Sequence, residues 1–316
     1  MSDPGVQDYD VVVVGAGIAG LTAAATASAF GLRVVVLEQL GPGGQLLDTT
    51  VVDCEFDLMA ERPAADLAAA VMERAMNAGA ALEFATVSKL ATGDRHVLET
   101  DAGSYSARAV ILAMGATPLR LDIPGESQFA GRGVSYCVPC DGPLFRDQPV
   151  VLLGAGRYAV KEANELSELA SEITVVSLDD GRSDRAWADS LEIGGKLHLI
   201  RDARAVSIDG DADGVRSVRL ADSDREWQLS TRAIFVCAGR APASELVQSI
   251  VELDADGRIL TDSSLNTGIT GLYAAGDIRA HSPERLISAA ADGVTAATAV
   301  ARRAASQPPL SPYTSS

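Results

Sequence analysis

The residues most clearly able to carry out a reaction are two cysteines, Cys137 and Cys140, in the run Cys-Val-Pro-Cys. This spacing places two sulfurs within reach of a disulfide across a turn. The same spacing supplies half of many zinc sites, but no second cysteine or histidine pair stands at metal-ligand spacing in the sequence. Four cysteines in 316 residues are also too few for a disulfide scaffold. The pair therefore predicts thiol–disulfide chemistry and no metal site.

A glycine-rich turn near the amino terminus carries a second kind of chemistry. Gly15 permits a tight turn, Gly17 lets the backbone approach a pyrophosphate, and Gly20, after Ala19, allows close packing of helix on strand. The helix that follows offers unpaired N–H groups and the positive end of its dipole. Glu38 lies 23 residues after Gly15, where a carboxylate can accept both hydroxyls of an unphosphorylated ribose. The pattern predicts a dinucleotide site.

The glycine pattern recurs once, in the run Gly154-Ala-Gly156-Arg157-Tyr158-Ala159. Continuously apolar runs, Val11–Val14 and Val150–Leu153, precede the two turns, as is typical of parallel strands covered on both faces. Two such units predict an α/β fold with two doubly wound Rossmann-like domains.

The segments between and after these units have their own patterns. Helices are predicted over about 63–79 and 283–305, and buried strands over 109–114 and 233–238. Alternation at 82–86, 97–100 and 104–107 predicts a β-meander on the first sheet, and alternation at 196–200, 205–209, 215–220 and 227–230 predicts further strands after the second unit.

Composition narrows the classes of partner. A net charge of −17 disfavours duplex nucleic acid and anionic membrane surfaces as partners. No apolar run approaches the ~20 residues of a membrane helix, and the polar, acidic start is unlike a signal peptide. We therefore expect a cytoplasmic protein that binds neither nucleic acid nor membrane.

Late elements suggest an extended ligand for the first site. The run Gly41–Gln45 directly follows the acidic strand end, and Gly276-Asp277 stands between a late strand and the last helix. Elements that return to the first site suit FAD, and the last helix would direct its positive end at the flavin.

Taken in order, these motifs resemble those of bacterial low-molecular-weight thioredoxin reductases. The matching runs are the first glycine turn, Glu38, Gly43–Leu46, Ile111–Ala116, Cys137–Gly142, Gly154–Ala159 and Ala274–Asp277. The resemblance covers nearly the whole chain. It implies a homodimer with a discontinuous FAD domain, 1–118 and 245–316, and an inserted second nucleotide-binding domain, 119–244, that carries the cysteine pair.

The resemblance also implies roles for individual residues. Cys140 would receive electrons from reduced flavin, Cys137 would attack the disulfide of a small thioredoxin-like protein or of a small molecule, and Asp141 would supply the proton for the leaving thiol. The implied FAD contacts are Gly15, Gly17, Ala19, Gly20, Glu38, Gln39, Gly44, Gln45, Leu46, Ala113, Gly115, Gly276, Asp277, Arg285, Leu286 and Ile287. The second nucleotide site would comprise Gly154, Gly156, Arg157, Tyr158, Ala159 and Ser177.

The second site departs from the family pattern. NADPH-dependent relatives carry His-Arg-Arg at the end of the second strand, where the cations hold the 2′-phosphate. Ser177 lies 23 residues after Gly154 and is followed by Leu178-Asp179-Asp180. A phosphate of charge near −2 would meet two carboxylates there, at a cost on the order of several kcal/mol per contact. We therefore expect this chain not to use NADPH.

Several alternatives stay open at this point. The second cradle could accept NADH, hold another dinucleotide such as a second FAD, or be a vestige, with electrons arriving from a redox protein such as ferredoxin. Arg182 and Arg185 could replace the missing cations, which would make the chain an NADPH-dependent thioredoxin reductase. Further alternatives are a small-molecule dithiol oxidase and a non-catalytic flavin redox sensor.

Overall fold

The computed structural model describes residues 5–49, 63–154, 156–178, 191 and 195–306, with backbone only for residues 156–158 and 178. Contacts divide the chain into two compact units, Met1–Ala116 with Pro242–Ser316, and Thr117–Ala241. The sequence placed the two boundaries at 118/119 and 244/245. The assignment of one nucleotide to each unit remains a prediction.

The described residues form strands and helices that we number in chain order. The strands are β1 (Val6–Val14), β2 (Val34–Glu38), β3 (Ala81–Phe84), β4 (Val87–Ala91), β5 (His96–Thr100), β6 (Gly103–Leu112), β7 (Ala116–Pro118), β8 (Val134–Ser135), β9 (Pro149–Gly154), β10 (Glu172–Leu178), β11 (Leu197–Asp211), β12 (Gly214–Ala221), β13 (Glu226–Ser230), β14 (Ala233–Cys237), β15 (Arg240–Pro242) and β16 (Leu272–Ala274). The α-helices are α1 (Ile18–Ala29), α2 (Ala64–Asn77), α3 (Val138–Asp141), α4 (Gly156–Leu169) and α5 (Leu286–Ser306). Two 3₁₀ helices span Gly44–Asp48 and Gly142–Phe145.

The first unit is built on a seven-stranded sheet in the order β3-β2-β1-β6-β5-β4, with β16 also paired to β6. Strand β6 pairs with three strands: with β1 in parallel, with β5 antiparallel through Gly103–Ala107, and with β16 in parallel through Val110–Leu112. The predicted meander is therefore joined to a parallel sheet through one continuous strand.

Apolar side chains on both faces of this sheet explain its central strands. Val11 and Val13 of β1 belong to a core cluster with α1 and α5, whereas Val12 and Val14 belong to a second cluster on the other face. Helix α1 approaches α5 closely: a Cβ at Gly293 would lie only 2.3 Å from the Ala19 carbonyl oxygen, so only glycine fits at this position. Small residues along α1 therefore hold the glycine turn against the last helix.

The second unit repeats the arrangement with a sheet ordered β13-β12-β11-β10-β9-β14-β8. Strands β8 to β11 and β14 run parallel, and β12 and β13 continue the sheet antiparallel. Helix α4 packs Ala159, Ala163 and Leu166 onto β9, β10 and β14 in one buried cluster. The expectation of two doubly wound Rossmann-like domains is confirmed.

One prediction about the strands was wrong. The alternating segments 196–200 and 205–209 form the single fifteen-residue strand β11. Its first half pairs parallel with β10 and its second half pairs antiparallel with β12, with register shifts on both sides. The side-chain pattern breaks where the strand changes partner, and the backbone continues.

No described helix has the length and apolar character to cross a bilayer.

Candidate nucleotide and disulfide sites

The amino-terminal glycine turn joins β1 to α1 with backbone contacts that exclude larger residues. Gly15 has φ +99°, and a Cβ there would lie 2.5 Å from the Ala113 carbonyl oxygen. A Cβ at Gly20 would lie 1.9 Å from the Gly15 carbonyl oxygen, so only glycine allows α1 to approach the turn this closely. These two glycines have a packing role within the protein.

Gly17 behaves differently, because a Cβ at this position would meet no atom of the described residues within 4 Å. Gly17 is also the N-cap of α1, and no side chain among the described residues caps this helix end. Open space beside uncapped N–H groups is the arrangement that receives a diphosphate. The residues present at this turn therefore fit the pyrophosphate of a dinucleotide.

The carboxylate of Glu38 is held beside the same turn. Its Oε2 accepts from the backbone N–H of Ala16 at 2.7 Å, and its Oε1 accepts from Leu40 and Gly41 at 2.9 and 3.3 Å. Gln39 is exposed next to it. The acid thus has a fixed orientation at the carboxyl end of β2, where the sequence predicted it.

The segment after Glu38 folds back onto the glycine turn. The Gly43 N–H donates to the Ala16 carbonyl at 2.8 Å, and a Cβ at Gly44 would lie 3.1 Å from the Cα of Gly17. A 3₁₀ helix then begins at Gly44 and buries Leu46. Gly43 and Gly44 therefore border the open position at Gly17.

Gln45 connects this segment to the late turn at Gly276 and Asp277. Gln45 Nε2 donates to Asp277 Oδ2 at 3.0 Å, and Ser282 Oγ donates to Asp277 Oδ1 at 2.8 Å. Gly276, with φ +80°, has room for no side chain, because a Cβ would lie 2.9 Å from the Cβ of Ala19. The structure thus brings together two motifs that lie 232 positions apart.

Two residues that sequence reasoning missed fix the late turn. Asp292, buried within α5, accepts from the Gly276 N–H at 3.0 Å. Arg279 pairs with the same carboxylate in bidentate geometry, Nε to Oδ2 at 2.6 Å and Nη2 to Oδ1 at 2.9 Å. Helix α5 also carries serines, threonines and arginines, so the sequence did not distinguish this aspartate from a solvated residue.

The other predicted FAD residues lie in the same unit, on neighbouring elements. Ala113 follows β6, and its N–H donates to the Val14 carbonyl at 2.8 Å, while a Cβ at Gly115 would lie 3.5 Å from Gln45 Nε2. Arg285 immediately precedes α5, and its N–H donates to Ser288 Oγ at 3.3 Å. Leu286 packs in the small cluster that contains Ile18 and Leu46, whereas Ile287 is exposed.

The predicted cysteine pair is a disulfide in the second unit, at the carboxyl end of β8. Its Cα atoms are 5.3 Å apart. Cys137 caps α3, its Sγ accepts from the Cys140 N–H at 3.2 Å, and its own N–H donates to Ser135 Oγ at 3.1 Å. Cys140 is exposed and Cys137 is half-buried. Asp141 is half-buried at the end of α3, and its N–H donates to the Cys137 carbonyl at 3.2 Å.

The second glycine turn lies between β9 and α4. A Cβ at Gly154 would lie 2.9 Å from the Cβ of Cys237, so this glycine has a packing role, and Ala159 is fully buried in α4. Ser177 pairs in register with Gly154 near the end of β10. The backbones of Gly156, Arg157 and Tyr158 form the first turn of α4, while Asp179, Asp180, Arg182 and Arg185 lie outside the described residues.

A carboxyl group behind the disulfide escaped the sequence analysis. Glu162 of α4 hydrogen-bonds with the backbone of Val138, the residue between the cysteines that begins α3. Its Oε2 is buried and has no hydrogen-bond partner within the described part of the chain. Burial, and then the charge of Glu165, raises the pKa of Glu162 to about 7. Burial, followed by the charge of Glu162, also raises the pKa of the Cys237 thiol.

Two Rossmann-like units and a disulfide within a Cys-x-x-Cys run define the class of flavin-dependent disulfide oxidoreductases. Comparison with known proteins agrees. The family model for pyridine nucleotide-disulphide oxidoreductases matches residues 9–293. A thioredoxin reductase of Treponema pallidum is 36% identical over 299 residues, which cover 93% of this chain and 96% of the relative.

Solved structures give the same assignment. A Lactococcus lactis thioredoxin reductase in its FR conformation aligns with a TM-score of 0.85 and 29% identity, over 93% of this chain and 98% of that one. A ferredoxin-flavin thioredoxin reductase from Clostridium acetobutylicum aligns with a TM-score of 0.53 and 30% identity, over 96% and 100% of the two chains. This chain therefore belongs to the pyridine nucleotide-disulphide oxidoreductases and, among them, to the thioredoxin reductase family. It is a flavin-dependent disulfide oxidoreductase, as the sequence predicted.

Proposed function

We propose that this chain binds FAD in its first unit and uses the Cys137–Cys140 pair to reduce the disulfide of a thioredoxin-like protein. The observation that carries the proposal is the disulfide itself, with Cys140 exposed and the Cys137 sulfur capping α3. A small-molecule disulfide remains the alternative substrate. The homodimeric state and cytoplasmic location expected from the sequence belong to the same proposal.

Bound FAD would supply the two electrons that open the disulfide. The residues proposed to hold it are those that border the open position at Gly17, together with the turn at Gly276 and Asp277. The exposed position of Cys140 in its own unit is compatible with its proposed role as the thiol that receives electrons. Cys137 would then attack the partner's disulfide as a thiolate, because the Cys140 N–H can donate to its sulfur.

Asp141 is proposed as the proton donor for the thiol that leaves during exchange. It follows Cys140 directly, and its backbone N–H is bonded to the Cys137 carbonyl, which fixes the start of its side chain relative to the pair. Thiol–disulfide exchange is accelerated when the leaving sulfur is protonated, so a carboxyl group one residue away has a defined task.

The electron donor is proposed not to be NADPH. Ser177 lies 23 residues after Gly154, at the spacing that marks the ribose-binding residue in the sequence. It pairs in register with Gly154 near the end of β10. In the sequence, Leu178-Asp179-Asp180 stands at the positions where NADPH-dependent relatives carry His-Arg-Arg. A 2′-phosphate would be repelled there.

A redox protein of the ferredoxin type is the donor that we favour. The Clostridium acetobutylicum relative is named a ferredoxin-flavin thioredoxin reductase and shares 30% identity over 96% of this chain. NADH is a further possible donor, and a second FAD held by the Gly154 turn is a further possible occupant, since neither carries the 2′-phosphate that the His-Arg-Arg run of the relatives would bind. The NADPH-dependent alternative retains the support of the relatives named thioredoxin reductase.

Stopped-flow spectroscopy separates these donors. Purified protein with bound flavin is mixed anaerobically with NADPH, NADH or reduced ferredoxin, and loss of the oxidised flavin band is followed. We expect slow bleaching with NADPH and rapid bleaching with ferredoxin. Rapid reduction by micromolar NADPH would overturn the donor proposal while leaving the dithiol role intact. Release of two FAD per chain on denaturation would identify the occupant of the second site.

A further inference from the structure

Behind the disulfide lies a carboxyl group for which the proposed reaction has no role. Val138 is buried in the cluster that contains Ala159, Ala163 and Leu166 of α4. The 3₁₀ helix after the cysteines packs on the same helix, because a Cβ at Gly142 would lie 3.2 Å from Leu169 Cδ1. Glu162 therefore lies on the helix that supports the whole redox turn.

The contacts of Glu162 are unusual for a structural carboxylate. One hydrogen bond joins it to the Val138 backbone, at the first helical position of α3, whose N–H has no partner within so short a helix. The other oxygen, Oε2, is buried and has no hydrogen-bond partner in the described residues. A carboxylate that served only packing would normally have its buried oxygens paired, and an orphaned one favours the protonated form.

We propose that Glu162 is a positioning residue for the redox pair: it holds the first turn of α3 through Val138 and controls by its own charge how readily the dithiol ionises. The inference rests on the proposed role of Cys137 and Cys140 as that pair. Reduction breaks the S–S bond with two electrons, which the flavin-dependent activity supplies, and leaves two sulfurs that take up one or two protons. Negative charge that develops on sulfur favours protonation of Glu162, so the protonated fraction of this carboxyl rises as the disulfide opens.

The charges around Glu162 fit such coupling. On α4 itself, Glu165 opposes ionisation of Glu162, and Lys161 favours it. From β15, Arg240 favours ionisation, whereas the thiol of Cys237 at the end of β14 is held neutral by burial. In addition to these groups, the turn that carries the two cysteines has one further titratable side chain, that of Asp141. Because the pKa of Glu162 is raised to about 7, its charge changes close to the range in which the activated thiols of Cys-X-X-Cys pairs generally ionise.

The pH dependence of thiol alkylation tests the proposal directly. The flavin-bound protein is reduced with excess dithiothreitol, desalted anaerobically and treated with iodoacetamide between pH 5.5 and 9, and modification of Cys137 and Cys140 is measured by mass spectrometry. Glu162→Gln keeps an oxygen that can accept from Val138 and removes the charge. Glu168→Gln removes an exposed charge from the same helix and is the matched control.

We expect Glu162→Gln to be alkylated about three- to tenfold faster than wild type near pH 7.5, because removing a nearby negative charge lowers the thiol pKa. At pH 5.5 the two proteins should react alike, since Glu162 is then protonated in the wild type. Glu168→Gln should follow wild type throughout. A rate ratio that is constant with pH would indicate a merely structural role and overturn the proposal, as would superimposable profiles.

Two further measurements keep the test decisive. If Glu162→Gln does not fold, the wild-type profile alone must depart from a single ionisation, since coupled groups titrate in two steps; a single-step curve would then refute the coupling. Replacing Cys140 with Ser tests the dithiol role separately, through turnover. Retained turnover in that variant would defeat the proposed function without bearing on the alkylation result.

Discussion

Replacement of Gly17 by alanine should weaken FAD binding by orders of magnitude and leave the fold intact. The position has φ −73°, which alanine adopts without strain, and a Cβ would meet nothing within 4 Å among the described residues. Alanine is a poorer N-cap than glycine, which should cost the apoprotein no more than about 1 kcal/mol of unfolding free energy. The effect on the ligand should be much larger, because the new methyl group occupies the space proposed for the pyrophosphate.

The magnitude follows from the hydrogen bonds that a displaced diphosphate would lose. Two charge-assisted bonds to backbone N–H groups at about 1.5–3 kcal/mol each amount to about 3–6 kcal/mol, or roughly a 10²- to 10⁴-fold increase in the Kd for FAD. Flavin fluorescence quenching on titration of the apoprotein measures this Kd, and urea unfolding measures the stability. Gly5→Ala, which also meets nothing within 4 Å, is the control and should change neither quantity.

Comparison with Gly20 makes the result specific. A Cβ at Gly20 would lie 1.9 Å from the Gly15 carbonyl oxygen, so Gly20→Ala must displace backbone and should destabilise the apoprotein itself by on the order of 3 kcal/mol. Gly17→Ala should lose the ligand with little loss of stability, and Gly20→Ala should lose both. If Gly17→Ala bound FAD within about threefold of wild type, or unfolded as readily as Gly20→Ala, the proposed cradle would be wrong.

The remaining predictions concern the late turn, the dithiol and the donor. Asp292→Ala leaves the largely buried Arg279 without its carboxylate and frees the Gly276 N–H; we expect a loss of about 3–5 kcal/mol in urea unfolding, with Asp256→Asn as an exposed control that changes nothing measurable. Asp141→Asn should slow turnover of a thioredoxin-like substrate by about 10²- to 10⁴-fold without releasing flavin, and an unchanged rate would remove the proton-donor role. The pKa of Glu162 is raised from 4.5 to about 7, so protonation of its carboxyl favours the folded state at low pH, and this contribution is lost as the pH rises from 4.5 to 7. The wild type should therefore lose unfolding free energy relative to Glu162→Gln over that pH range, and a difference that does not change with pH would contradict this prediction. Asp179→Arg combined with Asp180→Arg should accelerate flavin bleaching by NADPH at least about tenfold, and an unchanged rate would show that charge at this strand end does not exclude the 2′-phosphate.

The fold and the first glycine turn could be predicted because their signals are local. An apolar run before Gly15, small residues after it and an acid at the next strand end all lie within about one β-α-β unit. Backbone geometry then requires these residues, as the short distances at Gly15 and Gly20 show. The same reasoning located the disulfide, whose spacing alone permits the bond.

Residues that act through tertiary contacts were not predictable in this way. Asp292 meets Gly276 across 16 positions of sequence, and Glu162 reaches Val138 across the packing of two helices, so neither belongs to a motif. A polar residue in an amphipathic or alanine-rich helix has no sequence mark that separates a solvated position from a buried one. The split of β11 into two predicted strands has a related cause, because a change of strand partner disturbs side-chain alternation and leaves the backbone continuous.

The two glycine turns differ in the residue 23 positions further on: an acid, Glu38, after the first and a neutral serine, Ser177, after the second. At the first turn, three backbone N–H groups hold the carboxylate of Glu38, which suits ribose hydroxyls that carry no phosphate. At the second, Ser177 stands at the strand end and offers a neutral hydroxyl, so the charge there is determined by the residues that follow it. Two of the next three residues in the sequence, Asp179 and Asp180, are acidic, whereas the described contacts of the disulfide turn lie with Ser135, within α3 and between α3 and α4. Under the proposed function, donor choice and disulfide chemistry rest on separate residues, so a change of electron donor would require no change in the thiols that deliver the electrons.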